Sequence, residues 1–207
     1  MLSRLYAIAD AQLLAAREIP LENYAHQLRG AGVELVQYRD KSGSPRAILR
    51  AASILREVFA ATPTRLILND RADLAVLANF DGVHVGQNDL SPADARRVIG
   101  PSKLVGVSTH TDDQVRAAAL TPADYIAIGP IYSTSTKPDA EKPVGLEGIR
   151  RARALTTKPL VAIGGITRAN ARSVIDAGAN SVAIISAFFA PGETVAQVAR
   201  DFLKLLR

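Results

Sequence analysis

The stretch that decides the fold is VELVQYRDKSGSPRAILRAASILREVFAATPTRLILND, residues 33–70. It begins and ends with short apolar runs, VELVQYR and RLILND, of the kind found in strands that are covered on both faces. Between the runs, Ser44 and Pro45 form a helix start, and apolar residues then recur at helical spacing. A strand, a helix and a second strand in this order predict a βαβ unit with parallel strands.

Six further apolar runs continue this pattern along the chain: RLYAIAD, GVHVG, KLVGVS, YIAIG, LVAIGG and SVAIIS. Helix signals separate most of them, including Ser91 before a proline, a capping box that starts at Thr111, and a helix predicted to be capped by Thr167. Eight strands alternating with about eight helices predict a single-domain α/β fold, a (β/α)8 TIM barrel over residues 1–207. An open doubly wound sheet is the alternative, but the glycine-rich fingerprint that it needs does not follow the first strand.

Composition narrows the classes of function. The chain has no cysteine, which excludes disulfides, zinc–thiolate sites and a cysteine nucleophile. No apolar run approaches the roughly 18 residues of a membrane span, and the N-terminus does not resemble a signal peptide, so we expect a cytoplasmic protein without a membrane partner. The net charge of +5 is scattered over helix-like positions with few aromatic residues, which argues against a nucleic-acid partner.

In such a barrel the chemistry lies at the carboxyl ends of the strands. The second strand ends in QYRDK, where Gln37, Arg39 and Lys41 alternate and therefore face the same way while the chain is extended. Two cations on one side repel each other unless an anion lies between them, and a phosphate suits an arginine that donates to two oxygens. A solvent-exposed loop is the alternative interpretation.

Two carboxylates follow neighbouring strands. Asp70 and Asp89 end the third and fourth strands, and a pair of carboxylates brought together needs a cation. Because the chain has no cysteine and no spaced pair of histidines, Mg²⁺ is the metal that fits these ligands. The alternatives are a helix cap for Asp70 and a turn for Asp89.

The last strands are followed by GGIT and IISAF, where barrels often bind phosphate through backbone N–H groups. A tight turn is the alternative for the glycines. Strand 6 is followed by GPIYSTSTK, whose hydroxyls and Lys137 suit a second substrate. Among the histidines, His26 is predicted at the surface and His84 in the core, whereas His110 borders the site and is a candidate base.

Taken together these motifs resemble the thiamine-phosphate synthase family over essentially the whole chain. The segments that carry the resemblance are VQYRDK, LILNDRADLA, GVHVGQNDL, GVSTH, GPIYSTSTK, VAIGGIT and IISA. Asp40 and Asn88 stand where glutamate is expected, and neither is an implied ligand. The resemblance implies a (β/α)8 barrel that joins hydroxymethylpyrimidine diphosphate to a thiazole phosphate and releases pyrophosphate.

The resemblance also implies a role for each matching residue. The residues implied to hold the pyrimidine diphosphate are Gln37, Arg39, Lys41, Asn69, Ser108 and Lys137. Those implied to hold the thiazole phosphate are Thr134, Thr136, Gly165, Ile185 and Ser186. Asp70 and Asp89 are implied to bind Mg²⁺. The residues implied to act in catalysis are Arg39, Lys41, Ser108 and Lys137.

The implied chemistry is transfer of a pyrimidinylmethyl group between two small molecules through a carbocation-like intermediate, which needs no covalent nucleophile. Two alternatives stay open: an isomerase of the thiazole tautomerase type on the same barrel, and a non-catalytic binder of phosphate ligands. A homo-oligomer is compatible with this chemistry. The polarity of Ser133–Val144 suggests a loop that closes over the substrates.

Overall fold

The computed structural model describes residues 2–134 and 141–207. Within these ranges eight parallel strands form a closed barrel in chain order, and the first strand pairs with the eighth. The strands are β1 Leu5–Asp10, β2 Leu35–Arg39, β3 Arg65–Asn69, β4 Gly82–Val85, β5 Leu104–Thr109, β6 Tyr125–Ile128, β7 Leu160–Ile163 and β8 Ser181–Ile184. The predicted (β/α)8 barrel is confirmed, and the open doubly wound sheet is excluded.

The helices cover the outside of the barrel. In the described part of the chain they are α1 Ala11–Ala16, α2 Leu21–Ala31, α3 Pro45–Val58, α4 Ala72–Leu77, α5 Pro92–Ile99, α6 Asp112–Ala119, α7 Gly145–Leu155, α8 Ala171–Asp176 and α9 Val195–Leu205. A 3₁₀ turn, Ser186–Phe188, follows β8. None of the helices in residues 2–134 and 141–207 is long and apolar enough to cross a lipid bilayer.

Three of the predicted helix starts are confirmed and one is wrong. The side chains of Ser44, Ser91 and Thr111 each accept a backbone hydrogen bond from the first turn of their helix. The predicted cap at Thr167 is wrong, because α8 begins four residues later and follows Asn170. The Asn170 side chain accepts the Thr167 N–H at 2.8 Å, so this segment forms a turn before the helix starts.

Two apolar clusters hold the barrel together. Because successive residues of a strand point to opposite sides, most strands contribute to both clusters. The larger cluster lies between the strands and the helices. The smaller one fills the barrel interior with the side chains of Tyr6, Ile8, Leu35, Ile67, Tyr125, Ala127, Val161 and Ala183. This interior packing forms a floor beneath the carboxyl ends of the strands.

The outer cluster offers a test of how the last helix stabilises the barrel. Phe202 of α9 is fully buried, and its ring meets the edge of Phe188 at a centroid distance of 6.1 Å. We expect Phe202→Ala to lower the free energy of unfolding by about 3–5 kcal/mol, because truncation of a buried aromatic ring leaves a cavity. Urea denaturation measures this, with Leu205→Ala on the exposed side of the same helix as the control. A loss in Phe202→Ala no larger than that of the control would contradict this assignment.

Candidate active site

A chamber of about 840 Å³, lined by both polar and apolar residues, opens at the carboxyl ends of the strands. Ten of the residues predicted from the sequence line it: Gln37, Arg39, Lys41, Asn69, Asp89, Ser108, Thr134, Gly165, Ile185 and Ser186. Asp70 lies at its edge beside Lys41. Thr136 and Lys137 lie outside the described residues, as does half of the loop that was predicted to close over the substrates, residues 135–140. The structure therefore brings together the strand ends on which the sequence interpretation depends.

Arg39 has a protein carboxylate as its partner. Its guanidinium donates to Asp10 at the end of β1, and Asp10 and Arg39 are also register partners in the pairing of β1 with β2. The carboxylate side chain is only 6% exposed and also accepts the N–H of Leu13 at 2.9 Å. Charge-assisted hydrogen bonds of this kind fix an arginine in one orientation. Asp10 therefore orients a residue that lines the chamber, and the sequence interpretation proposed no role for it.

Lys41, Asp70 and Asp89 form a second charged group, on the adjoining part of the rim. The Lys41 ammonium is 2.5 Å from the Asp70 carboxylate. Burial raises the pKa of Asp70 above its ordinary value, the neighbouring Asp89 carboxylate raises it as well, and Lys41 opposes both effects. Asp89 is oriented by the Gly86 N–H, which donates to it at 2.7 Å. The two carboxylates therefore lie close enough to influence each other's ionisation.

The two carboxylates fit a hard cation that keeps most of its own shell. Among the described residues there is no group of three or more histidine, cysteine, aspartate or glutamate side chains that could enclose a metal ion. Mg²⁺ is commonly held by one or two carboxylates, with water and phosphate oxygens completing the octahedron. Asp70 has a positive φ of 64°, a backbone conformation that is costly for a residue other than glycine and is frequent at functional sites. The predicted alternative of a helix cap does not apply to Asp70, because Arg71 precedes α4.

Asn69 presents an unpaired donor. Its Nδ2 is buried and has no hydrogen-bond partner in the described part of the chain, although the residue lines the chamber. A buried amide without a partner costs free energy, so such groups are uncommon in proteins. An acceptor supplied by a ligand would satisfy it.

A chain of hydrogen bonds crosses the barrel beneath the chamber. Gln37 Nε2 donates to the Tyr6 hydroxyl at 2.8 Å, and that hydroxyl is 2.9 Å from the hydroxyl of Tyr125. Tyr125 is 3.0 Å from Nδ1 of His84, whose Nε2 is 2.9 Å from Ser108 Oγ. His84 is buried, as predicted, but it also lines the chamber. The sequence interpretation gave no role to the two tyrosines, although a hydroxyl within an aliphatic strand is a signal for one.

The opposite wall depends on two glycines after β7. Gly164 and Gly165 have positive φ values of 100° and 64°. A Cβ at Gly165 would lie 2.6 Å from the carbonyl oxygen of Ser133, so the residue must be glycine for the segment after β6 to pack here. Nearby, His110 Nδ1 is 2.6 Å from the Gly129 carbonyl, and His110 lines the chamber as predicted. Because a carbonyl only accepts, Nδ1 carries the proton.

The chain is similar in sequence and in fold to proteins that are already known. A family model described as thiamine monophosphate synthase matches residues 5–188. A thiamine-phosphate synthase of Koribacter versatilis (strain Ellin345) is 50% identical over 207 residues, covering 99% of this chain and 96% of that protein. One of Chloroflexus aurantiacus is 45% identical over 193 residues, covering 93% and 88%. The solved structure of a thiamine phosphate pyrophosphorylase from Pyrococcus furiosus superposes with a TM-score of 0.87 at 28% identity, covering 98% of this chain and 95% of that one.

The rim group predicts opposite shifts in the titration of Asp70 in protein free of divalent cations. Lys41→Gln removes the ammonium that opposes protonation, so we expect the pKa of Asp70 to increase further. Asp89→Asn removes the neighbouring negative charge, so we expect the pKa of Asp70 to decrease. Carboxyl ¹³C NMR titration measures both shifts, and Lys204→Gln on the exposed side of α9 is the control. Shifts of the same sign in the two variants would show that the three side chains do not form one electrostatic group.

Proposed function

Because the chain belongs to the thiamine monophosphate synthase family, we propose that its chamber joins hydroxymethylpyrimidine diphosphate to a thiazole phosphate. The protein is a thiamine-phosphate synthase, a transferase of the pyrimidinylmethyl group, and it acts on small molecules. A diphosphate and a second phosphate are the two anions that its chamber has to hold. We also propose which residues bind the diphosphate and which bind the second phosphate.

The observation that carries the proposal is the grouping of Lys41, Asp70 and Asp89 on the rim beside Arg39 and the unpaired donor of Asn69. Cations and a free amide donor suit the oxygens of a diphosphate. Two adjacent carboxylates suit the divalent cation that accompanies a diphosphate. An isomerase acting on a thiazole phosphate has no need of this group, and the comparisons lend the alternatives no support.

We assign Mg²⁺ to Asp70 and Asp89. When bound, Mg²⁺ neutralises part of the negative charge that develops on the departing pyrophosphate. The other residues assigned to the diphosphate are Gln37, Arg39, Lys41, Asn69 and Lys137. Arg39 is oriented by Asp10 and donates through its remaining N–H groups, and Lys41, which is held beside Asp70, supplies a second positive charge. Lys137 is assigned from the sequence motif alone.

The reaction begins with cleavage of the bond between the pyrimidine methylene carbon and the diphosphate oxygen. The electron pair of this bond goes to the oxygen, and the positive charge left on the methylene carbon is delocalised into the amino-substituted ring. Arg39, Lys41 and Lys137 stabilise the oxygen as its negative charge grows, which is the largest contribution that a protein makes to such a step. Ser108 holds the ring while the bond breaks.

The thiazole nitrogen then donates its lone pair to the methylene carbon, which gives thiamine phosphate and free pyrophosphate without a covalent enzyme intermediate. Thr134 and Thr136 are assigned to the thiazole substrate, and Gly165, Ile185 and Ser186 to its phosphate. Holding the second phosphate across the chamber from the diphosphate orients the nitrogen towards the carbon. Such orientation lowers the activation free energy of a bimolecular reaction by roughly 7–11 kcal/mol at best.

The assignment predicts a large loss of rate when a residue assigned to the metal or to the diphosphate is removed. We expect Asp89→Ala and Lys137→Ala each to reduce turnover at least about a hundredfold, on the scale of a lost electrostatic stabilisation of a transition state. Steady-state assay of thiamine phosphate formation measures this. Asp113→Ala is the matched control, because Asp113 on α6 is exposed and pairs with Arg116 of the same helix. Rates near that of the unchanged protein in both variants would refute these roles.

The overall reaction is tested by pyrophosphate release. We expect pyrophosphate release only when both substrates are present. Addition of EDTA should abolish this release, and Mg²⁺ in excess should restore it. Without the cation, the two carboxylates would leave the negative charge of the diphosphate uncompensated. A coupled phosphatase assay measures the pyrophosphate. Release that continues unchanged in EDTA would exclude the magnesium assignment, and no release under any condition would exclude the synthase.

A further inference from the structure

The hydrogen bonds beneath the chamber have a direction that can be worked out. Among the described residues, the hydroxyl of Tyr6 contacts Gln37 and Tyr125. Gln37 Nε2 donates to it, so the proton of Tyr6 has Tyr125 as its acceptor. Both tyrosines are fully buried, and burial raises the pKa of each well above its ordinary value, so each keeps its single proton. A buried hydroxyl proton without an acceptor would be costly, which excludes the reverse direction.

The hydrogen bonds continue in the same direction as far as Ser108 on β5. Tyr125 receives the Tyr6 proton and therefore donates its own proton to Nδ1 of His84. Neutral histidine with an accepting Nδ1 carries its proton on Nε2, which then donates to Ser108 Oγ. The proton of Ser108 is consequently the one directed at a ligand. At the other end, one N–H of Gln37 Nε2 is held by Tyr6, and the carbonyl oxygen of the same side chain is the acceptor that we assign to a ligand.

The barrel is built to accommodate this chain. Gly106 on β5 lies against it, and a Cβ at that position would be 2.1 Å from Cζ of Tyr125 and 2.5 Å from Nδ1 of His84. The His84 and Tyr125 rings stack at a centroid distance of 5.5 Å with an interplanar angle of 27°. The space that the glycine leaves is therefore filled by the rings that carry the hydrogen bonds.

We propose that Tyr6, Tyr125 and His84 are positioning residues that make Gln37 an acceptor and Ser108 a donor, and so select an aminopyrimidine over its oxo form. This inference rests on the proposed function for the identity of the ring. An aminopyrimidine offers an amino donor and a ring-nitrogen acceptor, which match the carbonyl of Gln37 and the hydroxyl of Ser108. In the 4-oxo form the exocyclic group becomes an acceptor and the adjacent ring nitrogen a donor, so both contacts fail.

The direction of the hydrogen bonds is tested in the ligand-free protein by ¹⁵N NMR of histidine, because the protonated and unprotonated ring nitrogens have well separated shifts. We expect His84 to be protonated on Nε2 and unprotonated on Nδ1. In Tyr125→Phe the donor to Nδ1 is lost, so we expect a mixture of tautomers. Tyr24→Phe is the matched control: Tyr24 is equally buried and donates to the carbonyl of Ile8 at 3.3 Å, outside this chain of hydrogen bonds.

Selectivity is tested by calorimetry with non-hydrolysable bisphosphonate analogues of the 4-amino and 4-oxo pyrimidine diphosphates. We expect the unchanged protein and Tyr24→Phe to bind the amino analogue at least about a hundredfold more tightly, because a site built to hydrogen-bond a group rejects an analogue that reverses it. We expect this ratio to fall below about tenfold in Tyr125→Phe, with Tyr6→Phe as a second variant if the first does not fold.

The outcomes separate this inference from the proposed function. A His84 protonated on Nδ1 in the unchanged protein would overturn the assigned direction, whatever the ligand. An amino preference that is undiminished in both folded variants would overturn the selectivity role and leave the synthase intact. Failure of the unchanged protein to bind either analogue would overturn both the proposed function and this selectivity. The inference would be supported if Tyr125→Phe or Tyr6→Phe showed a mixture of His84 tautomers and a reduced preference for the amino analogue, and the unchanged protein and Tyr24→Phe showed neither.

Discussion

Closure of the sheet is the constraint on which the rest of the structure depends. Hydrogen bonds between β1 and β8, with Tyr6 opposite Ala183, join the first strand of the chain to the last. Once the ring is closed, the carboxyl ends of all eight strands surround one chamber, and alternate residues of each strand point into it. Side chains that are far apart in the sequence then meet, and their charges and hydrogen bonds have to be compatible.

The charges at the chamber rim explain why an anion would bind with a cation. Arg39 and Lys41 supply two positive charges, and Asp10, Asp70 and Asp89 supply three carboxylates. A diphosphate alone would therefore approach a group that is not positive overall, whereas a divalent cation reverses this balance. The same carboxylates keep the two cations apart and oriented before a ligand arrives, which is the preorganisation that electrostatic stabilisation requires.

The strand order, most helix starts and the ten lining residues could be predicted from the sequence, because apolar runs, capping residues and polar strand ends are local signals. The partner of Arg39 was not predicted, because Asp10 becomes its neighbour only through the register of β1 with β2. The contacts of Tyr6 with Tyr125 and of Tyr125 with His84 cross the barrel between strands that are not adjacent, so no local pattern marks them.

The predicted helix cap at Thr167 was wrong, because the Asn170 side chain accepts the Thr167 N–H and forms a turn before the helix begins. For Thr136 and Lys137, which lie outside the described residues, the assigned roles remain predictions.

The contrast between the charged rim and the neutral floor suits a reaction with a carbocation-like intermediate. Departure of a diphosphate requires charge beside it, and we propose that Arg39, Lys41 and the two aspartates supply this charge at the rim. The ring, in contrast, has to be held by groups that do not attack the methylene carbon once its bond has broken. A tyrosinate beneath it would be a nucleophile, but burial raises the pKa of Tyr6 and Tyr125 so far that both stay protonated. Neutral hydroxyls can therefore orient the ring and leave the thiazole nitrogen as the nucleophile that reaches the carbon.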